Sequence, residues 1–183
     1  PLFCSFSAIS KMKQTKDVTV IAMYTALLIA AQYALSFAAG VEVVSAMIAV
    51  FAAVFGTKKG VILAVSFSVV RCLAFGFFPT VIVLYLVYFP LYALVMSLPA
   101  KKNVDRIWVV VPLAAALTAC FTLIDDVLTP LLMGFSKKAW NAYFYSSLPT
   151  MLTHVLSVTA GTLVLYAPLK ILLTKIRIRL YNS

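Results

Sequence analysis

Charged side chains are scarce: Asp, Glu, Lys and Arg make up only 11% of the 183 residues, and 64% of the residues are apolar. Soluble domains carry about 25% charged and roughly half apolar residues. This deficit excludes a water-soluble domain, a disordered chain and a soluble nucleic-acid binder. The composition therefore predicts a protein that lies in a lipid bilayer, with no nucleic-acid partner.

Cysteine and histidine are also rare. The three cysteines, Cys4, Cys72 and Cys120, cannot all pair, and they lack metal-ligand spacing, so we interpret them as small hydrophobic residues. The single histidine is not part of a His-Glu-x-x-His motif, and neither a Gly-x-Ser-x-Gly motif nor a Walker-type phosphate loop is present. We therefore expect no metal, no cofactor and no enzymatic activity in this chain.

The apolar runs predict an all-α integral membrane bundle of six transmembrane helices. Residues 18–55 would form a helix of about 57 Å, whereas the hydrocarbon core is about 30 Å thick, so we expect a break near Gly40-Val41-Glu42. Residues 60–98 are also two spans long, with a turn near Gly76 and Pro79. Runs at about 107–133 and 148–173 supply the fifth and sixth helices.

The basic residues orient this bundle, because Lys and Arg accumulate in cytoplasmic loops. With both termini cytoplasmic, twelve of the fifteen basic residues fall on the inside, and the net charge of +10 is explained by topology. The exceptions are Lys137 and Lys138 outside and Arg71 within the third span. The twelve are Lys11, Lys13, Lys16, Lys58, Lys59, Lys101, Lys102, Arg106, Lys170, Lys175, Arg177 and Arg179.

We expect one membrane domain, residues 17–176, between a cytoplasmic N-terminal tail (1–16) and a cytoplasmic C-terminal tail (177–183). The chain begins at Pro1, and Met12 is a candidate native start, so part of the first tail could be non-native. No cleavable signal peptide is recognisable.

The remaining polar residues define a candidate binding site, since charges in a membrane span normally face a bundle interior or a water-filled cavity. In the six-helix topology they cluster towards the outer surface. The alternative is a structural ion pair between Arg71 and Asp125 or Asp126. The candidate substrate-binding residues are Glu42, Arg71, Phe75, Phe78, Tyr85, Asp125, Asp126, Trp140, Tyr143 and His154.

Aromatic residues flank this site. Those of the third loop and of residues 140–145, before the sixth span, could form a lid over a ring-containing ligand, or they could be an interfacial aromatic belt. Tyr85, Tyr88 and Tyr92 share a helix face, where core packing is the alternative role for the deeper ones. Three acids opposite Arg71 and His154 favour a neutral or cationic ligand.

Alanine recurs every fourth residue along the first helix, including Ala22, Ala26 and Ala30. Small residues at this interval let another helix approach closely within a membrane. The stripe predicts a docking face for a partner, with packing against a helix of the same chain as the alternative.

The chain resembles the substrate-binding S component of energy-coupling factor transporters, the vitamin-uptake branch of ABC transporters. The features that carry this resemblance are the basic N-terminus, the Ala22-x-x-x-Ala26-x-x-x-Ala30 stripe, six spans in under two hundred residues and the outward polar site. Residues 40–45 and 71–79 are also similar to that family. The resemblance extends from Lys13 to the end of the chain.

The resemblance implies capture of a vitamin or related micronutrient at the outer face of a prokaryotic plasma membrane. It implies docking through Ala22, Ala26 and Ala30 on a membrane scaffold (T) subunit that works with two cytoplasmic ATPases, and no cofactor. Alternatives are an intramembrane metal-assisted enzyme that uses Asp125, Asp126 and His154, or a non-transporting membrane assembly subunit. Cobalamin, pyridoxine-like or pterin vitamins, riboflavin and pantothenate all remain candidate ligands.

Overall fold

The computed structural model describes residues 2–37, 42–76, 79–102 and 104–181, which fold into α-helices joined by short connections. In chain order the helices are α1 (Leu2–Ala34), α2 (Val44–Phe55), α3 (Thr57–Phe75), α4 (Pro79–Lys101), α5 (Ile107–Leu132) and α6 (Lys137–Tyr181). The predicted all-α architecture is confirmed for these residues.

Four helices contain segments that are long and apolar enough to cross a membrane: Gln14–Ala34, Val81–Lys101, Ile107–Leu132 and Lys137–Tyr181. The other two differ for separate reasons. α2 has only 12 residues, about 18 Å of helix. α3 is long enough but carries Lys58, Lys59 and Arg71. By length and composition, the structure therefore supports a helical membrane protein with four such segments.

Large apolar side chains lie on the outside of the bundle. Trp108 is 84% exposed, Met23 70% and Val164 69%, each on a different helix. Extensive exposed apolar surface is unusual for a soluble monomer, but it is what contact with lipid requires. The outer surface is consistent with the membrane character of the helices.

α2 is the central element. Eleven of its twelve residues are buried, and it packs most extensively against α6 and α4, with further contacts to α3, α1 and α5. No charge occurs between Val44 and Phe55, so every face can be surrounded by other helices. The core forms here, where Phe51, Phe67 and Phe89 are fully or almost fully buried.

Gly56 makes the tight junction between α2 and α3. Its φ of +87° belongs to a region that favours glycine, and its N–H donates to the carbonyl of Ala52. One residue thus reverses the chain direction, and the first residues of α3 lie beside the last residues of α2.

Polar contacts hold together the end of the bundle that contains Lys59, which we call the Lys59 end. The Lys59 Nζ atom donates to Asp17 Oδ1 at 2.6 Å and to Tyr181 OH at 3.1 Å, which joins α3 to α1 and α6. The Tyr181 hydroxyl also donates to Asp17. These contacts bring the middle of α1 next to the final residue of α6.

A second polar group at the Lys59 end involves Asp105, just before α5. Its carboxylate accepts hydrogen bonds from Tyr166 and Lys170 of α6. Arg177 Nη1, further along α6, donates to the carbonyl of Val54 at 2.7 Å and thereby satisfies a carbonyl at the C-terminal end of α2.

The helices extend beyond the predicted sixth span and into both predicted tails. α6 runs without interruption from Lys137 to Tyr181, so residues 137–147 are helical and do not form a loop. Residues 2–16 and 177–181, expected as tails, continue α1 and α6 as helix. The Lys16 Nζ atom donates to the carbonyl of Leu180 at 2.6 Å, so α1 and α6 contact each other here.

Candidate functional site

Polar side chains from several helices meet at the opposite end of the bundle, which we call the Arg71 end. The end of α1, the segment before α2, the end of α3, the start of α4 and the middle of α6 contribute. The side chains are Gln32, Glu42, Arg71, Tyr85 and His154. Residues far apart in the sequence thus form one cluster, and four of the five are predicted binding residues.

Glu42 is held by α6 and by the first turn of α2. Its Oε2 atom lies 3.4 Å from His154 Nε2, and its Oε1 accepts a 2.9 Å hydrogen bond from Ser45. The backbone N–H of Glu42 donates to Ser157 Oγ at 2.8 Å. The side chains of Glu42 and His154 are only 17% and 21% exposed, so this contact is largely shielded from solvent.

Arg71 lies against aromatic faces. Its guanidinium carbon is 4.3 Å from the centre of the Tyr85 ring and 5.2 Å from that of Phe75, one turn further along α3. Both are cation–π distances. The buried Nε atom has no hydrogen-bond partner among the described residues.

An aromatic wall connects Arg71 to His154. Tyr85 and Tyr88 lie on one face of α4, and the Phe121 ring of α5 is 6.4 Å and 4.4 Å from their respective ring centres. Phe121 is in turn 6.3 Å from the His154 ring. The two basic side chains therefore lie at either edge of a continuous aromatic surface.

Several buried polar atoms around this wall lack a hydrogen-bond partner in the described part of the chain. They are Gln32 Oε1, Arg71 Nε, Tyr88 OH and His154 Nδ1; Thr25 Oγ1, Tyr92 OH and Thr162 Oγ1 are also buried without a partner in the described chain. Buried polar atoms are normally paired, and an unpaired one costs about 1–3 kcal/mol, so a cluster of them favours a place where a ligand or water completes the bonds.

Asp125 and Asp126 form a separate cluster between α5 and α6. Asp125 Oδ1 accepts a 2.7 Å hydrogen bond from Thr129, and Asp126 Oδ2 accepts one of 2.8 Å from Ser147. Asp126 is only 1% exposed. The predicted set of binding residues is therefore divided into two groups, with Asp126 fastened to α6 about two turns before His154.

The alternative roles expected for these aspartates were an ion pair with Arg71 and a metal site. Where the structure describes the chain, no ion pair joins Arg71 to Asp125 or Asp126. No group of three His, Cys, Asp or Glu side chains in the described ranges is arranged to hold a metal ion. Asp126 and His154 instead contact different partners, Ser147 and Glu42.

The aromatic residues expected as a lid have different positions. Trp140 and Tyr143 lie on the first turns of α6, both half-buried, and the Tyr143 ring packs 5.7 Å from that of Phe135. Phe75 contacts Arg71 and lies 5.7 Å from the Tyr33 ring. Phe78 lies outside the described residues. Trp140 and Tyr143 therefore belong to a helix.

The alanine stripe of α1 faces outward. Ala22, Ala26 and Ala30 are exposed, whereas Tyr24 and Leu28 are buried against the core. An open groove of about 600 Å³ runs beside the stripe and is lined by Ala26, Ile29, Ala30, Tyr33, Ala34 and Val70. Packing of this stripe against another helix of the described chain, the alternative expected from sequence, does not occur.

Sequence reasoning missed three residues that shape the site. Gln32 lies 3.4 Å from the Tyr85 hydroxyl, Ser157 bonds to the backbone of Glu42, and Phe121 completes the aromatic wall. Gln32 carried a usable signal, since it is an amide in an otherwise apolar run. Ser157 and Phe121 carried none, because serine and phenylalanine are common in membrane helices.

No family model, curated protein or solved structure matches this chain. The functional conclusion therefore depends on the geometry and on the residues that carry the resemblance.

Proposed function

We propose that this chain is a membrane-embedded, high-affinity binding subunit for a vitamin or related micronutrient, similar to the S components of energy-coupling factor transporters. The observation that carries the proposal is the cluster of unpartnered buried polar atoms around the aromatic wall at the Arg71 end. A purely structural cluster would satisfy its own donors and acceptors, as Asp126 and Ser147 do.

The proposed topology places all six helices in the membrane, with both termini and the Lys59 end in the cytoplasm of a prokaryotic cell. The distribution of basic residues supports it: Lys59, Lys170 and Arg177 make contacts at one end, whereas Lys137 and Lys138 begin α6 at the other. α2 crosses only part of the bilayer, but it is surrounded by the other helices and has little contact with lipid.

The shortness of α2 gives the proposed site its depth. If Phe55 lies at the cytoplasmic boundary, α2 ends about 12 Å short of the outer boundary of a hydrocarbon layer about 30 Å thick. Glu42 and Ser45 would then lie at the bottom of a recess open to the outside, beneath α1, α3, α4 and α6. A nutrient could reach them from the external medium without entering lipid.

Partner docking is the second part of the proposal. The exposed face formed by Ala22, Ala26 and Ala30 would contact a membrane scaffold subunit, which two cytoplasmic ATPases drive. Its support is the combination of small residues, outward orientation and an adjoining groove. The nucleotide chemistry would belong to those separate chains.

Ligand binding to the purified chain tests the proposal. Thermal unfolding in neutral detergent is measured with each member of a vitamin panel, and native mass spectrometry identifies any co-purified molecule. We expect one vitamin to raise the unfolding temperature at low concentration, because a ligand of the folded state stabilises it by mass action. If no panel member stabilises the protein and nothing co-purifies, a non-transporting assembly subunit becomes the better interpretation.

A further inference from the structure

The electrostatic environment of Arg71 restricts the chemistry of the ligand. Its guanidinium is covered by Tyr85 and Phe75, yet these rings cannot neutralise the charge. The Nε atom is buried without a partner, and no carboxylate of the described chain lies within 4 Å of the group. A cation inside a membrane domain is costly unless an opposite charge or water solvates it.

All five acidic residues of the chain lie in the described ranges, and each has another partner. Asp17 pairs with Lys59, Asp105 with Lys170 and Glu42 with His154. Asp125 and Asp126 accept hydrogen bonds from the hydroxyls of Thr129 and Ser147. The protein thus supplies a carboxylate to Lys59, Lys170 and His154 but not to the arginine of α3.

Glu42 does not change this conclusion. Its two carboxylate oxygens already face His154 and Ser45, at 3.4 Å and 2.9 Å. An anionic group on a bound molecule would supply the charge that no carboxylate of the described chain supplies to Arg71 within 4 Å. Arginine is well suited to this, since its planar N–H groups can donate two parallel hydrogen bonds to one carboxylate.

We infer that the ligand of this site carries an anionic group, best fitted by a carboxylate, which binds Arg71, and that the rest of the ligand packs along Tyr85, Tyr88 and Phe121. The unpartnered Gln32 Oε1 and His154 Nδ1 atoms would bond to polar groups elsewhere on the same molecule. The inference rests on the proposed binding function. It reverses the sequence-based preference for a neutral or cationic ligand, because Asp125 and Asp126 are occupied away from Arg71.

The test compares acids with neutral analogues of the same skeleton. The pairs are pantothenate and panthenol, 4-pyridoxate and pyridoxine, and pterin-6-carboxylate and 6-hydroxymethylpterin; riboflavin and cyanocobalamin represent ligands without a carboxylate. Binding to the full chain is measured in neutral detergent without anionic lipid, so that lipid phosphate cannot occupy the site. We expect at least one acid to bind about tenfold or more tightly than its neutral partner, because a charge-assisted hydrogen bond is lost in the latter.

Variants identify the residue responsible. Arg71→Gln should remove the preference for the acid, Arg71→Lys should retain part of it, and Arg179→Gln, at an exposed arginine of the Lys59 end, should leave it unchanged. If Arg71→Gln does not elute as a folded monomer in gel filtration, two other measurements decide. They are the acid preference of Arg71→Lys and the ratio of acid to neutral affinities of the unmodified chain.

The possible failures are distinguishable. The inference is overturned, and the proposed function stays intact, if the neutral members bind as tightly as the acids or more tightly. The same holds if riboflavin or cyanocobalamin binds tightly and Arg71→Gln does not weaken this binding. An acid preference that persists in Arg71→Gln also overturns it. If no compound binds at all, the proposed function fails together with the inference.

Discussion

His154 on α6 lies 3.4 Å from Glu42, the residue two positions before α2, and this contact connects the N-terminal end of α2 to α6. One turn further along α6, Ser157 bonds to the backbone of Glu42. The N-terminus of α2 lacks a side-chain cap of its own. Its position therefore depends on α6, and a change at His154 should affect the geometry of the whole Arg71 end.

Replacing these two partners should reveal their coupling. We expect Glu42→Gln and His154→Gln each to destabilise the fold, and the double variant to lose less than the sum, with a coupling of roughly 0.5–2 kcal/mol because the two groups are in contact and mostly shielded from solvent. The measurement is a double-mutant cycle of unfolding free energies from SDS titration in mixed micelles.

The control cycle combines His154→Gln with Asp17→Asn, which lies at the Lys59 end. Distant sites are normally additive within about 0.5 kcal/mol. Equal coupling in both cycles would show that the Glu42–His154 contact has no specific energetic role.

Ser147 provides a matched test of the contact between α5 and α6. Ser147→Ala removes the hydrogen bond to the buried Asp126 carboxylate and should lower the unfolding free energy by about 1–3 kcal/mol. Ser146→Ala is the control, because this exposed hydroxyl bonds only to the carbonyl of Ala142 within its own helix. If Ser147→Ala and Ser146→Ala are equally stable, the Asp126 contact does not fasten the two helices.

Gly60 marks the closest approach of α3 to α2. A Cβ atom there would lie 2.7 Å from Ala52 Cβ and 3.0 Å from Ala52 Cα, so Gly60→Ala should cost about 1–3 kcal/mol through overpacking. At Gly161 of α6 the nearest atom would be 3.7 Å away. Gly161→Ala should therefore be neutral or stabilising by up to about 1 kcal/mol. Unfolding free energies of the two variants check the prediction, which a tolerated Gly60→Ala would contradict.

The sequence predicted the helical bundle because the physical signal is local. A helix needs about 20 apolar residues to cross a bilayer, so the lengths of the apolar runs predict the number of helices. The turn near Gly76 follows from the backbone freedom of glycine, and Gly76 has a positive φ. The length of α6 could not be obtained in this way. Its first turns contain Lys137, Lys138 and Asn141, so hydropathy alone separates them from the span, although their helical conformation continues.

The candidate site was only partly predictable for a different reason. Depth along each helix can be counted from the sequence, and it brought Glu42, Arg71 and His154 to one end. The rotation of each helix about its axis cannot be counted, because it is set by packing between helices. It decides that His154 faces Glu42 and that Asp126 faces Ser147, so the pairing of acids with partners was accessible only from the fold.

The proposed orientation predicts which ends of α6 are accessible from each side of the membrane. In a variant without its three native cysteines, a cysteine at Lys138 should react with a membrane-impermeant maleimide in intact cells. A cysteine at Lys175 should react only after permeabilisation. Both side chains are exposed, so accessibility within the protein is comparable. The reverse pattern would place the Arg71 end in the cytoplasm and remove the route by which an external nutrient reaches it.

Docking through α1 predicts a variant that binds but does not transport. Ala26→Trp places a bulky ring on the exposed alanine stripe beside the groove, where a partner helix could no longer approach closely. We expect vitamin uptake by cells that express the coupling module to fall at least about tenfold, because the close contact on which helix association depends is lost. The ligand affinity should stay unchanged within about twofold. Leu27→Trp is the control, since Leu27 is an already large, 51% exposed residue that points about 100° away from Ala26. Uptake should survive in Leu27→Trp. If it also survives in Ala26→Trp, the stripe is not the docking face. Loss of uptake in both variants would indicate a general defect of α1.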